Sequence, residues 1–223
     1  DVEYAHSIGI TGSRSLFVHT VWLNPHEVTL LKQSNTSCVH CPAANSQLGY
    51  GIAPIAELLE AGVPVGLGTD GAGSYTYDMF EMMRIATYLQ KQKHQSADVF
   101  TAEQALEMAT IHGAKALNLE NEIGSIEVGK KADIILIDFD KPHLLHEYRV
   151  VPKLVYSANG ADVTTTIVNG KVLYEKGVLT TLNEKEILTD ISKTMHEQLI
   201  AADDETRRLL KAPWPHNRAY WKL

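Results

Sequence analysis

The chain's 223 residues are 44% hydrophobic with no low-complexity tract, enough to bury a substantial core in one or two compact domains and a poor composition for disorder. A formal net charge of -7 argues against a general nucleic-acid or anionic-membrane binder, because both surfaces repel the average chain. No apolar run reaches the length of a transmembrane helix, and the first residues lack a basic region followed by a hydrophobic stretch, so a soluble, cytoplasmic protein is expected.

Leu16-Phe17-Val18 is a short apolar run ending in His19, and Pro25 to Gln33 after it has the charge and leucine spacing of a helix. The pattern repeats. Thr36 to Val39 reads as a strand ending at His40-Cys41-Pro42, and Ile52 to Ala61 as a helical stretch stopped by Gly62. Val63 to Leu67 then ends at Gly68-Thr69-Asp70-Gly71, followed by a helix over Met79 to Lys93 whose stripe includes Met82, Met83 and Ala86. Strands alternating with helices imply an α/β fold with parallel pairing through right-handed crossovers. Reactive groups in such folds gather beyond the carboxyl ends of the strands, where His19, His40 and Asp70 fall. A strand-end histidine is often only hydrogen-bonded and a loop aspartate often caps a helix. Three polar residues at three equivalent positions favour a site over three such coincidences.

Thr101 to Leu117 predicts a helix or helix pair with Thr101 as its cap. The chain then turns β-rich. Ile123-Gly124-Ser125-Ile126 leads through Gly129-Lys130-Lys131 into Ala132 to Asp138, and Val163 to Val168, Asn169-Gly170, Lys171 to Glu175 is the clearest hairpin signal present. Asn183 to Lys211 reads as a charged helix capped by Asn183, and Trp214, Tyr220 and Trp221 are candidates to dock the terminus.

Two motifs carry alternative readings. Cys38 and Cys41 have C-x-x-C spacing, but a structural zinc site needs four ligands and no second pair exists. A thioredoxin-like pair should open a helix, whereas this one follows a strand-like run, so two reduced thiols near a strand end are expected. Gly68 to Gly73 could cradle a phosphate, yet no adjacent lysine completes a P-loop.

The segments Val18-His19-Thr20-Val21-Trp22-Leu23, Val39-His40-Cys41-Pro42 through Asn45-Ser46-Gln47-Leu48-Gly49-Tyr50-Gly51, and Leu67-Gly68-Thr69-Asp70-Gly71 resemble the amidohydrolase superfamily. The resemblance is nearest to the methylthioadenosine/S-adenosylhomocysteine deaminases and their chlorohydrolase relatives. Gly113-Ala114-Lys115-Ala116-Leu117, Ile123 to Asp133 and Val168-Asn169-Gly170 resemble that family's ending. The resemblance implies the last strands of a (β/α)8 TIM barrel over 1–118, a small β-sandwich segment over 119–182, and a carboxyl-terminal helix and tail over 183–223. It implies Asp70 as metal ligand and proton shuttle, His19 as the catalytic histidine facing the attacked centre, and His40, Asn45, Gly49 and Gly51 as substrate-proximal residues. The implied cofactor is a divalent metal, zinc ahead of iron, and the implied substrate a small aminated heterocycle of the adenosine type. Guanine or oxoguanine deamination and triazine dechlorination are the alternatives.

These residue types suit the chemistry. A divalent metal lowers the pKa of bound water to about 7, a neighbouring carboxylate can move the proton to departing ammonia, and an imidazole can orient the ring or stabilise developing charge. The family's strand-one His-x-His pair does not occur in the sequence, and residues 1–15 hold no histidine with a glutamate three residues later; His6 is followed by Gly9. The expectation is a carboxyl-terminal piece, inactive alone, that needs an amino-terminal half or a homo-oligomer to cover an open barrel. A non-catalytic chain acting by association is the competing class.

Overall fold

The computed structural model describes residues 1–71, 74–145 and 148–211. The expected docking residues Trp214, Tyr220 and Trp221, with Gly73 of the expected phosphate cradle, lie outside the described residues. The chain divides into two compact units, 1–178 and 179–223.

The first unit opens with helix α1 (Val2–Ser7), followed by β1 (Leu16–Val18) and α2 (Pro25–Gln33). Asn24 starts α2 through a reciprocal capping box with Glu27, and Pro25 occupies the first turn, where a missing N–H costs nothing. Next come β2 (Ser37–His40), α3 (Pro42–Gln47), α4 (Ile55–Glu60) and β3 (Val65–Leu67). The three strands form one parallel sheet in the order β1-β2-β3, with Phe17 opposite Cys38 and Cys38 opposite Val65. This row joins the hydrophobic core, along with Leu31 of α2 and Ile55 and Leu58 of α4.

Helix α5 (Met79–His94), capped by Asp78, adds Phe80, Met83 and Ala86 to that core. Helices α6 (Ala102–Ala109) and α7 (Ile111–Ala116) form the expected pair, with Thr101 and Gln104 in a second capping box. Glycines let α7 lie close on the sheet: a Cβ at Gly66 would sit 3.1 Å from the Cα of Gly113.

A four-stranded antiparallel sheet, β4 (Ile134–Ile137), β5 (Val163–Val168), β6 (Lys171–Glu175) and β7 (Val178–Leu179), follows in that order. Asn169 and Gly170, at φ 49° and 75°, make the β5–β6 turn as their residue types require. Between β4 and β5 the chain forms α8 (Val150–Tyr156), which packs on α5 and α6. Tyr156 stacks on Tyr88 of α5 at 5.9 Å, and Arg84 donates to the Ala158 carbonyl.

The second unit holds α9 (Glu184–Ala201) and α10 (Asp204–Lys211). One continuous helix was expected here. The break occurs because Ala202 is extended and the Asp203 side chain accepts from the Thr206 N–H, capping a new helix. Two further corrections concern local starts. Helix α4 begins at Ile55 rather than Ile52, because Pro54 disfavours helical backbone at Ala53. A helix, α3, does open directly after Cys41, with Pro42 at its first position, where a strand end was expected.

Candidate active site

The parallel register aligns the strands' carboxyl ends. Val18 lies opposite Val39 and His40 opposite Leu67, and the ladder runs one step further through His19 N–H to the Val39 carbonyl and Gly68 N–H to the His40 carbonyl, both 2.9 Å. Gly68 is tightly hemmed in, since a Cβ there would lie 2.9 Å from Val39 Cγ1 and 3.3 Å from Cys41 Sγ. His19, Thr20 and Asp70 follow at φ 72°, 42° and 58°, a left-handed conformation unusual outside glycine. Such strain persists only where the surrounding structure enforces it.

His19 Nε2 lies 3.8 Å from Asp70 Oδ2, within ion-pair range and beyond a direct hydrogen bond, and both side chains are about one-third exposed. The other ring nitrogen, Nδ1, is 2.8 Å from Oδ1 of Asn45 on α3. Asn45 itself is fully buried. His40 is also fully buried, neither ring nitrogen has a partner among the described residues, and burial followed by the nearby His19 charge pushes its pKa down to about 3. It is therefore neutral at ordinary pH. The two thiols are equally inert: burial, with the charge of Asp70 added for Cys41, pushes both Cys38 and Cys41 up to about 11.

A groove of about 760 Å³ opens beside His19, lined by Val18, Thr20, Trp22, Gly49 and Tyr50 among others. Gly51 lies against Trp22 at φ 110°, where a Cβ would come within 3.1 Å of the Trp22 ring. The fold thus brings His19, Asp70 and Asn45 together and sets His19 and Gly49 on the groove, while Asp70, Asn45, His40 and Gly51 are not among its lining residues. Trp22, 83% exposed, and Tyr50 were not singled out from the sequence; an aromatic beside a strand-end histidine was the available signal.

Asp70 offers a hard oxygen donor at the mouth of the sheet, suited to one corner of a divalent-metal site. Among the described residues no three His, Cys, Asp or Glu side chains group so as to hold a metal ion. The donor chemistry fits a ligand contributed to a site, not a complete site.

The sequence model of the Amidohydrolase family matches residues 1–173. The chain belongs to this family. It is 44% identical over 197 residues to a 5-methylthioadenosine/S-adenosylhomocysteine deaminase from Moorella thermoacetica, covering 88% of this chain and 46% of that protein. It is 44% identical over 197 residues to a 5'-deoxyadenosine deaminase from Methanobrevibacter smithii, covering 87% and 45%. An adenosine deaminase from Xanthomonas campestris, solved with bound zinc, superposes with a TM-score of 0.86 at 30% identity, over 90% of this chain and 46% of that one. This amidohydrolase chain therefore spans about half the length of the relatives it matches. No helix among its described residues is long and apolar enough to cross a membrane.

Proposed function

We propose that this chain is the carboxyl-terminal part of a metal-dependent hydrolase that deaminates an adenosine-type nucleoside, S-adenosylhomocysteine, methylthioadenosine or 5'-deoxyadenosine. In this reading β1, β2 and β3 are the last three strands of a (β/α)8 barrel, and the four-stranded sheet belongs to a β-sandwich. One observation carries it: His19 and Asp70, beyond the ends of the two outer strands β1 and β3 of one parallel sheet, approach to 3.8 Å in a chain 44% identical to two such deaminases.

When bound, zinc would supply a Lewis-acid centre that makes water acidic near neutral pH. Asp70 would hold one position on that centre, accept the water's proton and deliver it to the departing amine. His19 presents Nε2 across from that carboxylate, where it can accept from an N–H or O–H of the leaving or attacking group beside the attacked carbon. Trp22 and Tyr50 wall the groove and can cover the apolar face of the nucleoside. The remaining metal ligands come from polypeptide outside this sequence.

The test is reassembly. The chain is combined with the amino-terminal half of a related deaminase, zinc is measured by mass spectrometry, and ammonia release is followed from the three nucleosides. Turnover with bound zinc is expected in the mixture and not in the chain alone, and Asp70→Asn should lower it by about 10²- to 10⁴-fold. Zinc-loaded mixtures that release no ammonia from any of the three would overturn the substrate assignment. Stable metal-free oligomers would favour a role in association instead.

A further inference from the structure

We infer that Asn45 is a positioning residue: its side-chain oxygen accepts the Nδ1–H of His19 and so leaves Nε2 as the nitrogen facing Asp70. The inference rests on the proposed function for its catalytic meaning, although its structural content stands independently.

Burying an amide in a short helix is costly. Asparagine is a mediocre helix former, and a primary amide away from water loses several kcal/mol unless its hydrogen bonds are replaced. Asn45 is 0% exposed on a six-residue helix whose neighbouring buried residues, Ala43 and Ala44, are apolar. A leucine of nearly the same shape would fill that place at less expense. What the asparagine adds is one bond, 2.8 Å long, to a histidine 26 residues earlier in the chain. Its Nδ2 has no partner among the described residues, so the bond to His19 is the amide's only anchor there.

The platform is firm. Pro42 opens α3, the Ser46 hydroxyl donates to the Pro42 carbonyl at 2.8 Å, and the Asn45 carbonyl accepts from the Tyr50 N–H at 2.9 Å. The same residue thus holds the His19 ring with its side chain and the groove residue Tyr50 with its backbone. His19 is pinned a second time by its backbone bond to Val39. Two anchors, one on the backbone and one on the ring, determine where Nε2 sits. Because an imidazole with Nδ1–H has its lone pair on Nε2, the Asn45 oxygen also selects the tautomer. The Nδ1–H tautomer of His19 then offers an acceptor toward the reacting centre, not a donor.

Two-bond proton–nitrogen correlation spectra of the full chain labelled with ¹⁵N-histidine test this directly, with His19 assigned by its loss in His19→Gln. The wild type is expected to show His19 as the Nδ1–H tautomer, Asn45→Asp to keep that signature, and Asn45→Leu to convert it to Nε2–H or a mixture. A wild-type Nε2–H signature overturns the inference even if no variant folds, and so does an Asn45→Leu spectrum unchanged at His19. In the reassembled enzyme Asn45→Leu should lower kcat by roughly 10²-fold, as a misplaced catalytic group does, with KM within about 2-fold. An inactive wild-type assembly with the expected spectrum would sink the deaminase reading and leave the positioning role intact.

Discussion

Charging His40 means placing an imidazolium where no partner waits among the described residues. Its folded pKa of about 3 lies below the ordinary 6.5, so between these values the unfolded chain binds the proton and the folded chain does not. Stability is therefore full above pH 6.5 and falls with acidification toward pH 3, by up to about 1.4 kcal/mol per pH unit. Urea denaturation at pH 7 and pH 4.5 should show this loss, and His40→Asn should remove most of the difference. At this scale the sequence was informative about which residues gather and silent about what each does. His19 and Asp70 were legible because a strand's end is a local property. The sealed position of His40 and the bond from Asn45 to His19, 26 residues apart in the chain, were not, because both depend on tertiary packing, which no pattern within a window of residues encodes.

Elements whose ends are written in local chemistry were legible nearly to the residue. The β5–β6 hairpin turns on Asn169-Gly170, and α2 begins with Asn24, Pro25 and Glu27, each supplying the hydrogen bond or dihedral its position needs. Helices α1, α3 and α8, of six or seven residues, were missed because so short a run shows less than two turns of periodicity. Their existence is a gift of tertiary packing. Gly124 shows the same dependence from the other side. It stood out only as part of a familiar-looking segment, yet its φ of 90° and a hypothetical Cβ 2.6 Å from Ala114 Cβ reveal why a side chain is excluded. Gly124→Ala should destabilise the fold by roughly 1–3 kcal/mol through crowding and backbone strain, seen as a lower urea midpoint with unchanged slope.

At the scale of the molecule, the alternation of strands and helices foretold the parallel sheet, but no residue pattern says how many strands share it. Three do, and among the described residues no other strand pairs with the outer edge of β1 or of β3. Those two edges differ: one ends the sheet on each side, and all three strands run the same way. Unpaired N–H and C=O groups along them are open to strand addition. The edge of β3 in one copy is chemically matched to the edge of β1 in the next, and such head-to-tail pairing has no internal symmetry to stop it. Concentrated solutions of the chain should therefore show mass growing with concentration by light scattering, and a bound amino-terminal half should suppress that growth. A dilution-independent monomer would contradict it. Three strands per copy sum to multiples of three and never to eight, so any ring of this chain would differ in circumference from the eight-stranded barrel proposed for the whole enzyme, and Asp70 there would face only its own duplicates.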